Sequence, residues 1–375
     1  MNPTNPSNPM NSIKLILVAG ARPNFMKIAP VIKAIEKEIV QQHADIIYKL
    51  VHTGQHYDVQ MSQVFFKDLD IPIPHLNLDV GSASHAVQAA NIMIRFEKVC
   101  FDENPDWVVV VGDVNSTMAC TLVASKMGIK VAHVEAGLRS FDRSMPEEIN
   151  RIVTDSLADL LFTPSPDADE NLKNEGISRS KIRYVGNVMI DTLVANLEKA
   201  RKKQTHTTLG LEKKAFGYVT LHRPCNVDEK TSLDAIMKNL YQVASEIPII
   251  FPVHPRTKKM LAKHHISVSE NNHFRLIEPV GYHDSVCLTE HARFVLTDSG
   301  GLQEETTFFR TPCLTLRPNT ERPITMTEGS NALTTIDSLL ADVEGVLNGP
   351  VCKGSVPDLW DGHAAERVVT HLLND

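Results

Sequence analysis

Apolar, β-branched runs that end in an acid recur in this 375-residue chain, and they set the chemistry within reach. Trp107-Val108-Val109-Val110-Val111 leads into Gly112-Asp113, and Lys130-Val131-Ala132-His133-Val134 leads into Glu135-Ala136-Gly137. Arg139 comes next, then Pro146-Glu147-Glu148 at a helix start. Alone, each acid reads as a helix cap or a solvated loop residue. Together, after strands that share an edge, Asp113, Glu135 and Glu147 suit acid/base work on two sides of one substrate. A different pattern marks the second half. Asp298-Ser299-Gly300-Gly301-Leu302-Gln303-Glu304-Glu305 opens a helix after a buried strand, so bare amides around Ser299, Gly300 and Gly301 can face a pyrophosphate. Glu305 lies one turn in, where a carboxylate can accept both hydroxyls of a ribose, and Arg317 and Arg322 bring cations. Gly20-Ala21-Arg22-Pro23-Asn24 with Lys27 has the make-up of an anion site at a strand-to-helix junction. It lacks G-x-G-x-x-G spacing, so dinucleotide binding is unsupported.

The elements that must position these groups follow from hydrophobic patterning. Leu15–Ala19, Ile46–Thr53, Trp107–Val111, Lys130–Val134, Leu160–Pro164 and Ile182–Gly186 read as strands, and their continuous apolar character suits a parallel sheet buried on both faces. Helices are expected over Met61–Asp68, His85–Phe101 and Thr117–Met127, the last capped by Asn115 or Ser116. From Met189 to about Leu211 a helix turns charged and loses its periodicity, which marks an interdomain boundary. The second series repeats the plan: Tyr218–Leu221 ends in His222-Arg223-Pro224, Ile249–Val253 in His254-Pro255, and Arg293–Thr297 in Asp298-Ser299. Trp360–Leu373 reads as a last amphipathic helix. The fold class is α/β, with ligands expected outside the carboxyl ends of doubly wound sheets.

Composition narrows the function further. A chain with 42% hydrophobic and 22% charged residues and a formal net charge of -7 is globular and argues against nucleic-acid or anionic-membrane partners. The opening MNPTNPSNPMNS reads as a disordered tail over residues 1–12, not a signal peptide, and no apolar run approaches the roughly 20 residues that span a bilayer. Six scattered cysteines without a C-x-x-C pair fit reduced thiols, and no metal-ligand spacing such as H-E-x-x-H occurs, so no metal is expected.

The motifs in combination closely resemble those of the non-hydrolysing UDP-N-acetylglucosamine 2-epimerases. They are Gly20-Ala21-Arg22-Pro23 with Lys27, Thr53-Gly54-Gln55-His56, Gly112-Asp113, His133–Arg139, Pro146–Arg151, Leu221-His222-Arg223, Thr297–Glu305 and Thr320-Glu321-Arg322-Pro323. The resemblance implies a glycosyltransferase-B-like architecture of two Rossmann-like domains, 13–188 with 358–375 and 189–357, with the active site in the interdomain cleft and the last helix returning to the first domain. It implies reversible conversion of UDP-N-acetylglucosamine to UDP-N-acetylmannosamine, without a cofactor, by a cytoplasmic homodimer that supplies surface-polysaccharide synthesis. By position it puts UDP on Ser299, Gly300, Gly301, Glu305 and Arg322, with Arg22 and Lys27 assisting, and it assigns chemistry to Asp113, Glu135, Glu147 and His222. The chain departs from some members at two points: Ser285 stands where they carry a uracil-stacking aromatic, and Gln55 is followed by His56-Tyr57-Asp58 rather than a Gln-x-x-Gln segment.

The C2 hydrogen of such a sugar has no adjacent carbonyl, so simple deprotonation is unsuited. The family route instead eliminates UDP across C1–C2, giving a 2-acetamidoglucal, then protonates the other face and re-adds UDP. That route needs cationic and amide stabilisation of the leaving diphosphate. It also needs acid/base groups on both faces of the ring. Alternatives are a 2-epimerase for another UDP-sugar, such as UDP-diacetamidoglucuronic acid, and a UDP-sugar glycosyltransferase of the same fold.

Overall fold

The computed structural model describes residues 12–54, 70–267, 273–349 and 354–375. Their contacts resolve into two compact units. The first takes in the described chain up to Leu138, Asp142–Val188 and His363–Asp375; the second takes in Arg139–Phe141 and Met189–Gly362.

The first unit runs β1 (Ile13–Ala19), α1 (Arg22–Val40), β2 (Ile46–His52), β3 (Leu76–Asn77), α2 (His85–Glu103), β4 (Trp107–Val111) and α3 (Asn115–Lys126). It continues with β5 (Lys130–Val134), α4 (Pro146–Leu157), β6 (Leu160–Thr163), α5 (Pro166–Asn174) and β7 (Ile182–Tyr184). The strands form one parallel sheet in the order β3-β2-β1-β4-β5-β6-β7. All of β4 is buried, as a central strand covered on both faces requires. Val108, Val110 and Val131 pack with Ile92, Phe96 and Cys120 from the covering helices. Each such side chain contributes about 1.5–3 kcal/mol when fully buried.

The second unit runs α6 (Val188–Lys203), α7 (Thr205–Thr208), β8 (Gly217–Thr220), α8 (Pro224–Val227), α9 (Lys230–Ala244), β9 (Ile249–Pro252) and α10 (Pro255–Lys263). Then come β10 (Phe274–Ile277), α11 (Tyr282–His291), β11 (Phe294–Thr297), α12 (Gly300–Phe309), β12 (Cys313–Leu316), α13 (Ile324–Thr327), β13 (Asn331–Thr334) and α14 (Leu339–Asn348). Its strands order as β10-β9-β8-β11-β12-β13, again parallel. The final helix, α15 (Ala364–Asn374), packs on α1 in the first unit. In both sheets the strand order reverses beside the first strand, between β1 and β4 and between β8 and β11, and that is where such sheets place ligands.

Two local expectations need correction. Helix α3 starts at Asn115 behind Val114, rather than at Thr117 behind a side-chain cap. The Asn115 side-chain oxygen accepts from Asn150 Nδ2 at 3.3 Å and the Ser116 hydroxyl pairs with Thr53 at 2.7 Å, so both side chains are engaged away from the helix start. The last helix starts at Ala364 instead of Trp360, whose indole is buried with Ile190 and Leu193 of the second unit. The expected helix over Met61–Asp68 lies outside the described residues.

Candidate active site

The carboxyl edge of the first sheet gathers acids, of which Glu135 and Asp113 stand against cations. Lys27, one turn into α1, forms a buried ion pair with Glu135 at the end of β5. Glu135 adopts a φ of 71°, in the left-handed region that non-glycine residues enter at a cost of about 1–3 kcal/mol. Gly112, at the end of β4, has a φ of 65°, and a Cβ there would stand 2.8 Å from Lys27 Nζ. Glycine is thus favoured on two counts, for the positive φ of the turn and for the ammonium that lies against it. Asn24 Nδ2 ties α1 to the same place by donating to Val111 O at 2.8 Å. Asp113, next in the chain, accepts from Arg151 Nη1 at 2.5 Å, and Asn150 Nδ2 donates to its backbone carbonyl at 2.9 Å. Arg151 also donates to Glu148 Oε2 from Nε (3.1 Å) and Nη2 (2.6 Å). One guanidinium therefore serves two carboxylates, while 27% of the Asp113 side chain stays open to solvent. Glu147 is exposed on the first turn of α4. The Arg22 side chain, Gln55 and His56 lie outside the described residues.

The second sheet's edge is built around Asp298, fully buried at the end of β11. Its carboxylate accepts from the backbone amides of His222 (3.0 Å) and Arg223 (2.8 Å), from Asn226 Nδ2 (3.0 Å), and pairs with His222 Nδ1 at 2.9 Å. Burial alone would raise this carboxyl; the His222 ring and the converging donors outweigh it and hold it below the usual value. Because Asp298 engages Nδ1, His222 offers Nε2 for proton traffic. Sequence reasoning singled out His222 but not Asn226, and gave no role to Arg223, whose Nε donates to the Asp298 carbonyl at 3.0 Å. The spacing His222-Arg223-Pro224-Cys225-Asn226 was the available signal, since a short helix folds it back on one acid.

Helix α12 begins with Ser299 at its N-cap, whose side chain makes no capping bond. The first-turn amides around Gly300 and Gly301 are therefore open to an anion. A Cβ on Gly300 would meet Arg322 Nη1 at 2.9 Å, so glycine lets the guanidinium approach the helix start. Arg322 pairs with Glu304 at 2.7 Å and with Glu321, and Arg317 holds Glu321 at 2.8 Å. Burial opposes the Glu321 charge, yet Arg322 and Arg317 keep its carboxyl far below the usual range. Glu305 differs: burial, helped by the charge of Glu304, pushes its carboxyl up to about 8. Ser285 hydrogen-bonds Tyr218 Oη at 2.9 Å.

Among the described residues one cluster has metal-ligand chemistry that sequence spacing did not reveal: His206, Cys287 and His291. Cys287 Sγ lies 3.5 Å from His206 Nδ1 and 3.9 Å from His291 Nδ1. The two imidazoles stack 4.1 Å apart and within 11° of parallel. An ion must lie in the plane of each imidazole it binds, which two stacked rings cannot share as placed.

Comparison with known proteins agrees along nearly the whole chain. The model of the family described as UDP-N-acetylglucosamine 2-epimerase matches residues 38–373. The chain is 43% identical over 370 residues to the UDP-N-acetylglucosamine 2-epimerase of Methanocaldococcus jannaschii, covering 96% of this chain and 99% of that relative. It is 41% identical over 325 residues to the UDP-2,3-diacetamido-2,3-dideoxy-D-glucuronate 2-epimerase of Pseudomonas aeruginosa, covering 86% and 88%. The crystal structure of the M. jannaschii enzyme in complex with UDP-GlcNAc and UDP matches with a TM-score of 0.84 at 41% identity, over 97% of this chain and all of that one.

Proposed function

Because this chain belongs to the UDP-N-acetylglucosamine 2-epimerase family, we propose that it interconverts UDP-N-acetylglucosamine and UDP-N-acetylmannosamine by elimination and re-addition of UDP. In the forward half, a base of the first unit takes the C2 proton while the C1–O bond to UDP breaks, leaving the 2-acetamidoglucal. Protonation at C2 from the other face and re-addition of UDP at C1 complete the turnover with no net oxidation. Asp113 and Glu135 exchange the C2 proton; Glu147 and His222 assist at the sugar hydroxyls and phosphate. Ser299, Gly300, Gly301 and Arg322 hold the diphosphate, with Arg22 and Lys27 contributing positive charge, and Glu305 accepts the ribose hydroxyls.

The observation that carries this reading is the pairing at β4 and β5: two acids at the ends of neighbouring strands, one against Arg151 and the other against Lys27. Incubation with UDP-N-acetylglucosamine in D2O, without an acceptor, should place deuterium at C2 of both epimers. Absence of C2 label would sink the reading in favour of a glycosyltransferase. Because the P. aeruginosa relative is an epimerase of a diacetamidoglucuronate, the same incubation with that UDP-sugar identifies the preferred substrate.

The reading extends to a cytoplasmic homodimer. Cys100, Cys120, Cys287 and Cys313 are buried free thiols, as a reducing compartment allows, and no described helix is long and apolar enough to cross a membrane. Helix α2 exposes Val87 (52%), Ile94 (69%) and Phe101 (70%) at seven-residue spacing, an apolar stripe suited to a second copy. Sedimentation equilibrium of Ile94→Asp/Phe101→Asp should show monomers where the parent chain is dimeric; a parent chain that is itself monomeric refutes the assembly.

A further inference from the structure

We propose that the buried pair His133–Asp155 is a positioning device that fixes the two acid-bearing turns relative to each other; this rests on the acid/base role given above to Asp113 and Glu135. The ladder between β4 and β5 pairs Val110 with His133 and Val111 with Val134, and its last bond runs from Gly112 N to Val134 O at 3.0 Å. Beyond it both chains leave the sheet through left-handed backbone, with φ of 65° at Gly112, 71° at Glu135 and 81° at Gly137. Strand pairing between β4 and β5 no longer sets their separation there.

Side chains take over. His133 Nε2 lies 2.8 Å from Gly112 O; a carbonyl only accepts, so Nε2 carries the hydrogen. His133 Nδ1 is 2.6 Å from Asp155 Oδ1, and Asp155 Oδ2 accepts from Gly137 N at 3.1 Å. The chain of bonds therefore runs from the carbonyl just before Asp113 to the amide two residues after Glu135. Both side chains are fully buried. Asp155 also lies one turn beyond Arg151 on α4, so a single helix face holds the Asp113 carboxylate directly and both turns through the pair. Buried ion pairs add little net stability over apolar groups of similar volume. What this pair supplies is direction: its bonds to Gly112 O and Gly137 N end on the two turns that carry Asp113 and Glu135.

The test uses the full-length enzyme and UDP-N-acetylglucosamine. Asp155→Ala and His133→Phe should lower kcat by about 100-fold, the penalty of misplacing a reacting group by about 1 Å, with KM and the Kd for UDP within about threefold of the parent. Asp155→Asn should restore kcat to within about fivefold: its Oδ1 still accepts from Gly137, and its Nδ2 donates to His133 Nδ1, leaving Nε2–H on Gly112. If Asp155→Ala does not fold, His133→Asn keeps a polar group in the cavity and is read in the same way. The proposal is overturned if folded variants keep kcat, if UDP binding falls in parallel with kcat, or if Asp155→Asn fares no better than Asp155→Ala. Asp113→Asn and Glu135→Gln separate this from the reading beneath it. C2 exchange that survives in those variants defeats the acid/base assignment itself. Exchange lost there but kept in the dyad variants defeats only the positioning role.

Discussion

At the carboxyl edge of the first sheet, Lys27 and Arg151 stand against Glu135 and Asp113; at the same edge of the second, arginines bracket an uncapped helix start. Both sheets share the reversal beside their first strand, so topology alone does not account for the contrast. It comes from the turns into which the strands lead. After β4 and β5 the chain makes tight left-handed turns whose acids are held in place by cations from neighbouring helices. After β11 it passes directly through Ser299 into Gly300-Gly301, where the first-turn amides meet no side-chain cap and the Arg322 guanidinium, paired with Glu304 and Glu321, lies against Gly300. One edge sets acids against cations in tight turns and the other opens on helix amides without a side-chain cap, and the same doubly wound scaffold accommodates both.

Matched glycine substitutions should separate the two edges. Gly112→Ala adds a Cβ 2.8 Å from Lys27 Nζ at a φ of 65°, which displaces the ammonium from Glu135. Turnover should fall by about 100-fold while UDP affinity drops by only about threefold, since Lys27 is one of several positive groups at the diphosphate, measured by steady-state kinetics and calorimetric UDP titration. Gly300→Ala meets the Arg322 guanidinium 2.9 Å away and strains no backbone dihedral. Its effect should appear the other way round, as UDP binding weaker by about tenfold, or about 1.4 kcal/mol. Equal losses of turnover and affinity in both variants would erase the distinction between the edges.

A smaller effect concerns pH. With its carboxyl near 8, Glu305 is mostly protonated in the free protein at neutral pH, whereas a carboxylate that accepts two ribose hydroxyls is ionised. UDP binding should then release a proton below that pH. Affinity should rise between pH 7 and 8 by at most about tenfold per unit and flatten above, and Glu305→Gln should remove the slope. A slope that persists in Glu305→Gln would place the titrating group elsewhere.

Much of the site was legible from strand ends alone. Val111-Gly112-Asp113 and Val134-Glu135 are acids after buried β-branched runs, and Ser299-Gly300-Gly301 after Thr297 is a helix start whose glycines leave backbone amides bare. Legibility stopped where partners are far apart in the chain. Asn115 looked like a cap, yet its side chain bonds Gln88, 27 residues earlier. Asp298 sits in a glycine-rich motif, but its ties to His222 and Asn226 cross more than 70 positions. Asp155 gave no sign beyond lying one turn after Arg151.

Local sequence determined the parallel strands, the turns that need glycine, and which residue types stand at each carboxyl edge, because periodicity and backbone sterics act over a few residues. Tertiary structure decided which cation meets which acid, where Trp360 is buried, and that His133 and Asp155 join two turns. Those outcomes depend on distances between elements remote in sequence, and an ion pair or hydrogen bond is set by that separation rather than by the residues beside it.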